Sequence, residues 1–194
     1  MYDPSMLEEN NTGIHGTIAR LTRSYKQGHL LKDAVLSAVN QSIADRVKVI
    51  IVNDGCPRES TDRMGRYFSE MFRGRVFYLR KSNGGVSSAR NYGIRFALNA
   101  WPSVEAIFPL DADNKLSPLT LEKLWEKLSA SEPDVGWVYQ DLTFFGGEHG
   151  VWDTSVPFSL YRLEHENYCD AASLIRRSVF ESGCWFDEQR EQGE

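Results

Sequence analysis

Between residues 27 and 43 apolar side chains recur at helical spacing, with Leu31, Ala34, Val35 and Ala38 on one face. Residues 47–53 then form a β-branched run that predicts a buried strand. The same succession returns. A turn at Asp54-Gly55-Cys56-Pro57 leads to a second helix whose apolar face is marked by Met64, Tyr67, Phe68 and Met71, and residues 75–80 predict the next strand. The turn Asn83-Gly84-Gly85 opens a helix over about 86–99, followed by a strand at 104–110. Ser117-Pro118 then supplies an N-cap residue and a proline at the first helical position, ahead of a helix facing inward with Leu121, Leu124, Trp125 and Leu128. Upstream, residues 14–24 predict a first strand that is unusually polar, with Arg20 and Arg23 in it. Beyond a strand at 135–140 the regularity fades into short candidate strands (142–145, 151–153, 171–175), loops and a short helix near 178–182.

Alternating strands and helices imply βαβ crossovers, hence an α/β layered domain with a central, mainly parallel sheet and helices on both faces. A length of 194 residues suffices for one sizeable core, and no repeat or Pro/Gly/Ser-rich linker divides it. The charge balance, 22 Lys and Arg against 27 Asp and Glu, speaks against a nucleic-acid binder that attracts phosphate backbones with a basic surface. The longest stretch free of charged residues is the 11 residues 34–44, while a membrane span needs about 20 apolar residues, so no transmembrane segment is expected. The first 11 residues hold three acidic side chains, no basic one and no apolar core, unlike a secretory signal. Cys56, Cys169 and Cys184 form no close pair, which suits a reducing compartment, and a cytoplasmic setting is expected.

In open parallel sheets ligands bind beyond the carboxyl ends of the strands, so the segments that follow the strands are the candidates. These are Asn53-Asp54-Gly55, Lys81-Ser82-Asn83-Gly84-Gly85 and Asp111-Ala112-Asp113-Asn114. Two carboxylates one residue apart repel unless they share a cation, and hard oxygens suit Mg²⁺ or Mn²⁺ that a diphosphate helps to coordinate. A solvated acidic turn is the alternative for an isolated D-x-D. A calcium loop ending at Glu122 is rejected, because Lys115 and Leu116 stand where a ligand and a glycine are needed. The glycines ahead of the third helix place free N–H groups and a positive dipole end where phosphate could sit. Neither G-x-x-x-x-G-K-[ST] nor G-x-G-x-x-G occurs, which removes P-loop and dinucleotide-fold readings. Arg90, in the first two turns of that helix, reads either as a phosphate or base ligand or as an exposed helix arginine. Residues 58–95 carry nine basic and three acidic side chains, a local +6 favourable to an anionic ligand or a solvated face. Trp152 and Trp185 are open to a sugar-stacking or a core role.

Taken together these segments resemble the family 2 glycosyltransferases, nucleotide-sugar-dependent enzymes of GT-A fold. The resemblance is carried by Tyr25 with residues 31–41, by Val49-Ile-Ile-Val-Asn-Asp-Gly55 and by Asn83-Gly-Gly-Val-Ser-Ser-Ala-Arg-Asn-Tyr-Gly93. Phe108-Pro-Leu-Asp-Ala-Asp113 and residues 173–180 with Phe186-Asp-Glu188 complete it. It implies a single GT-A domain over residues 1–194, cut on its C-terminal, acceptor side, that moves a sugar with inversion from a nucleotide-sugar donor, a UDP-sugar, to a glycan or lipid-linked acceptor. Carried over by position, Asp54 accepts a hydrogen bond from the pyrimidine, and the backbone near Tyr25 borders the base. Asn83 and Arg90 help hold the nucleotide, Asp111 contacts the ribose or metal-bound water, and Asp113 ligates Mn²⁺ or Mg²⁺ on the diphosphate. Glu194 falls on the glutamate of the family's catalytic E-D pair, with the aspartate expected one residue further on. Cys56 stands where the family usually has serine. Two other readings stay open: a nucleotidyltransferase, for which the basic glycine-rich N-terminal loop is missing, and a nucleotide-sugar-binding module without activity.

Overall fold

The structure is a computed structural model that describes residues 17–21, 28–147, 150–154, 158–166 and 168–189; for 17–21 and 28–29 it describes the backbone alone. The order is β1 (Thr17–Leu21), α1 (Gly28–Val39), a 3-10 turn (Ala44–Arg46), β2 (Val49–Asp54), α2 (Glu59–Met71), β3 (Val76–Lys81), α3 (Gly85–Ala100) and β4 (Ala106–Asp111). It continues with α4 (Thr120–Ser129), β5 (Trp137–Val138), β6 (Leu142–Phe144), β7 (Gly150–Trp152), α5 (Leu160–His165), β8 (Leu174–Arg176) and α6 (Arg177–Glu181). Six strands form one sheet in the order β3-β2-β1-β4-β8-β5, and β6 and β7 form a separate hairpin. β1 to β4 pair in parallel, and β8 lies antiparallel between β4 and β5, so the sheet is mainly parallel as the alternation implies.

The polar first segment becomes a central strand. β1 lies between β2 and β4, with Leu21 opposite Asn53 and Arg20 opposite Asp111. Its neighbours explain the layering, because successive strand residues face opposite sides. Val49 and Ile51 pack into a core with Leu31, Ala34 and Val35 of α1, Phe68 of α2 and Leu121, Leu124 and Leu128 of α4. Ile50 and Val52, one residue out of phase, pack with Ala89, Ile94 and Ala97 of α3 and Phe180 of α6. β4 divides in the same way, with Ala106, Phe108 and Leu110 on the first face and Ile107 on the second. All six residues of β2 are buried, as an interior parallel strand requires.

Three local expectations are corrected. The inward stripe of α2 is Thr61, Gly65 and Phe68 with half-buried Met64, whereas Tyr67 and Met71 are 55% and 57% exposed. Small residues win the inward face because Tyr78 of β3 lies across it: a Cβ on Gly65 would come within 2.3 Å of the Tyr78 ring. Ser117 and Pro118 lie ahead of α4 and do not cap it. The Gln41 side chain does so from a distance, accepting the Leu121 N–H at 3.0 Å while donating to the Ser117 carbonyl at 2.8 Å. Finally, α5 forms within a stretch read as loop, its N-cap Ser159 accepting the Arg162 N–H.

Phe108 is fully buried where β4 meets α1 and α4. Truncation to alanine removes its contacts and leaves a cavity in a sandwich that cannot collapse around it, so Phe108→Ala is expected to cost about 3–5 kcal/mol in urea unfolding at unchanged fold.

Candidate functional site

Because β2, β3 and β4 run in parallel, their polar C-terminal ends share one edge of the sheet. Asp54 and Lys81 are register partners there, and the Lys81 ammonium lies 2.8 Å from the Asp54 carboxylate. The same carboxylate accepts the Gly84 N–H at 3.0 Å and the Gly85 N–H at 2.9 Å. The N-terminus of α3 is therefore fastened to the end of β2. Its first two donors, which the sequence offers to a phosphate, are taken by Asp54, and the Asn83 carboxamide oxygen accepts the Gly85 N–H as well, at 3.2 Å. A buried carboxylate, 8% exposed, is tolerable only with such charge-assisted partners. Gly55 makes the approach sterically possible: its φ is +72°, and a Cβ there would stand 2.7 Å from the Asn83 backbone nitrogen.

From the same helix Arg90 reaches the third turn. Its Nη2 lies 3.3 Å from both carboxylate oxygens of Asp111, and its guanidinium stacks 5.1 Å from the Phe186 ring. With a side chain only 12% exposed, Arg90 is not the exposed helix arginine of the alternative reading. Asp113, two residues on, is exposed and makes no ion pair among the described residues. It lies on the wall of a groove of about 590 Å³ that also runs past Asn114, Lys115 and Asp141 to Phe144 and Phe145 of the hairpin. Among the described residues no group of three or more His, Cys, Asp or Glu side chains is placed to hold a cation alone. Two carboxylates without a third protein ligand fit the way Mg²⁺ and Mn²⁺ are held together with substrate phosphates, and do not fit a closed structural site. The donor set thus suits a cation carried by a diphosphate.

A residue quoted in the motif but given no role proves central. Asn91, 1% exposed, accepts the Phe186 N–H at 3.1 Å and donates to the Phe186 carbonyl and to the Glu188 carboxylate, both at 2.8 Å. Arg95 adds an ion pair to Glu188 at 3.6 Å and stacks 5.0 Å from Trp185, which packs on Phe180 and so serves the core. One helix thus binds the N-D-G turn, the D-x-D turn and the segment leading toward the expected E-D pair. A buried amide needs partners, but that Asn91 is buried is set by packing and carries no signal in the sequence. Lys81 was quoted in the turn after the third strand but given no role of its own, because its partner is set by strand register. Tyr25 and Glu194 lie outside the described residues.

Comparisons with known proteins bear on the family and the fold. The glycosyl transferase family 2 sequence pattern matches residues 22–183. The minor teichoic acid biosynthesis protein GgaB of Bacillus subtilis is 30% identical over 134 residues, which is 69% of this chain and 14% of that protein. Chondroitin synthase of Pasteurella multocida is 30% identical over 99 residues, 51% of this chain and 9% of the synthase. The chain thus spans a small part of these relatives. A mannosyltransferase from Pyrobaculum calidifontis, PcManGT, solved with GDP-Man and Mn²⁺, superposes with a TM-score of 0.64 at 16% identity, covering 90% of this chain and 48% of its own. The fold is the Rossmann-like GT-A fold of nucleotide-sugar-dependent transferases. The chain belongs to glycosyl transferase family 2.

Glu188 is held below its ordinary 4.5 chiefly by the Asn91 hydrogen bond, which outweighs the opposing effect of desolvation, with Ser88, Arg95 and Lys81 adding to the lowering. A carboxylate with a depressed folded value stabilises the fold above its unfolded value and loses that contribution as pH falls through the folded one. Stability in urea is therefore expected to decline as pH drops below 4.5, and Glu188→Gln to flatten that decline while leaving the neutral-pH curve of the strands unchanged in slope.

Proposed function

We propose that this chain forms the donor-binding part of an inverting, divalent-metal-dependent glycosyltransferase that uses a UDP-sugar and a glycan or lipid-linked acceptor. The observation that carries the reading is that α3 ties the N-D-G turn to the D-x-D turn, through Asp54 with Gly84 and Gly85 at one end and Arg90 with Asp111 at the other. In this reading base, phosphate and metal functions share one sheet edge. Asp54 and the backbone near Tyr25 border the pyrimidine, and the Asp54 carboxylate accepts its N–H in addition to the bonds from Lys81, Gly84 and Gly85. Asn83 and Arg90 hold the nucleotide, with Arg90 also setting the Asp111 carboxylate. Asp113 and Asp111 would hold Mn²⁺ or Mg²⁺, which supplies charge neutralisation for the departing nucleotide diphosphate.

In the reaction itself the acceptor hydroxyl attacks the anomeric carbon from the face opposite the diphosphate. The new carbon–oxygen bond forms as the sugar–phosphate bond breaks, and the hydroxyl proton passes to a carboxylate of the E-D pair to which Glu194 belongs. Asn91 and Arg95, by holding residues 186–188 against α3, bring the approach to that pair alongside Arg90. The groove between Asp113 and Phe144 and Phe145 has the mixed polar and aromatic walls that a pyranose needs. Relatives named for teichoic acid and chondroitin synthesis suit a polysaccharide acceptor. No helix among the described residues is long and apolar enough to cross a membrane.

Calorimetric titration of UDP into the chain with and without Mn²⁺ tests the reading. UDP is expected to bind more tightly with Mn²⁺, and Asp113→Ala to remove that gain, weakening binding by about tenfold or more. Binding that ignores both the metal and the substitution overturns the metal–diphosphate assignment, and a preference for GDP overturns the uridine assignment.

A further inference from the structure

Beneath the N-D-G turn lies a second network that the donor reading does not use. Asn53, fully buried at the end of β2, donates from Nδ2 to the Tyr78 hydroxyl at 2.8 Å, and that hydroxyl donates to the Asp62 carboxylate of α2 at 2.6 Å. On its other side the Asn53 Oδ1 accepts the Cys56 N–H at 2.8 Å, closing the turn that carries Asp54 and Gly55. Asp62 is anchored in turn by Arg66 at 2.7 Å and Arg80 at 3.4 Å. The protons have only one arrangement. A backbone N–H can only donate, so the oxygen of Asn53 must face Cys56 and its NH₂ must face Tyr78. The phenol, having accepted that bond, must send its single proton to the acceptor-only carboxylate.

The chain of bonds begins 16 residues from its phenol in sequence and ties α2 to β3, the outermost strand of the sheet, and through it to the end of β2. Its middle member depends on a notch. The Tyr78 ring lies against the backbone of α2 at Gly65, where any Cβ would collide with Cδ2 and Cε2 at 2.3 Å. Burial together with Asp62 pushes the Tyr78 phenol up to about 12, so the network keeps its proton across ordinary pH. The substitution of the family's usual serine by Cys56 leaves the turn closed, because the closing donor is its backbone N–H; the Sγ lies 3.5 Å from the Thr61 hydroxyl.

We infer that Asp62, Tyr78 and Asn53 form a positioning relay which sets the N-D-G turn for the donor nucleotide, with Gly65 as the notch that admits the tyrosine. The inference rests on the donor reading above for its ligand, a uridine diphosphate, and on geometry alone for the relay. Tyr78 does not touch the nucleotide; it acts through Asn53 on the turn that bears Asp54.

The test compares Tyr78→Phe, Gly65→Ala and the double variant in the full chain. UDP affinity is measured by titration in the presence of Mn²⁺, well below the melting temperature, and exchange of the Cys56 amide is followed by NMR. Tyr78→Phe keeps the ring and removes only the hydroxyl, so it is expected to weaken UDP about three- to tenfold, the factor associated with one hydrogen bond, and to speed Cys56 amide exchange by a similar factor. Gly65→Ala, which alters no residue near the nucleotide site, is expected to act in the same direction. The double variant should bind no more weakly than the weaker of the two, because both act through one hydroxyl. Unchanged UDP affinity in a folded Tyr78→Phe chain, or losses that multiply in the double variant, overturns the relay even if the melting temperature has fallen. If the parent chain binds no UDP, the donor reading fails, and the Cys56 amide alone still decides whether Tyr78 holds the turn.

Discussion

A single buried carboxylate organises the functional edge of this protein. Asp54 stands at the end of an interior strand, where its charge would be prohibitively costly to desolvate without compensation. Compensation comes from three directions: the register partner Lys81, and two backbone N–H groups at the start of α3. The consequence is that α3 cannot shift independently of β2. Everything α3 carries, from Arg90 on Asp111 to Asn91 on residues 186–188, inherits its position from that attachment.

This also changes what the local excess of positive charge means. The stretch 58–95 carries a net +6, which on its face advertises an anion site. Much of it is internally committed. Lys81 pairs with Asp54, Arg90 with Asp111 and Arg95 with Glu188, three carboxylates outside the stretch, while Arg66 and Arg80 share Asp62 within it and Arg75 is fixed on the Val39 carbonyl at 2.7 Å. A field built from paired charges is weaker at long range than the count suggests, but its members are rigid. For binding a diphosphate through a cation, rigidity in Asp111 and openness in Asp113 matter more than bulk charge.

How much of this was legible in the sequence follows from which forces are local. The strands β2 and β4 were readable as continuous apolar runs and the helices α1 and α4 as periodic ones, both properties of the chain itself, whereas β3 buries only Val76 and was read from its apolar composition. The face of α2 was misread because Tyr67 and Met71 are apolar yet exposed, while Gly65 faces inward only because Tyr78 lies over it. The cap of α4 was misread because Gln41, some 80 residues away in sequence, supplies it in place of Ser117. In the site, Asp54, Asn83, Arg90, Asp111 and Asp113 were all named from motifs, and Asp54, Asn83, Arg90 and Asp111 meet around α3. Lys81 and Asn91 were quoted within motifs without a role and Tyr78 was not singled out, since each matters through a partner that only the register or the packing of the sheet supplies. Family resemblance marks the residues proposed to meet the ligand; the residues that hold them in place are visible only in three dimensions.

The central claim is that the turns after β2, β3 and β4 form one site for a nucleoside diphosphate and its cation. Paramagnetic broadening of backbone amide signals by Mn²⁺, in the chain holding UDP, reads this most directly. The account predicts losses centred on Asp113 and its neighbours, spreading to Gly84, Gly85 and the turn at Asp54, and largely absent when UDP is withheld. Broadening centred away from that sheet edge, or the same pattern with and without UDP, would contradict it.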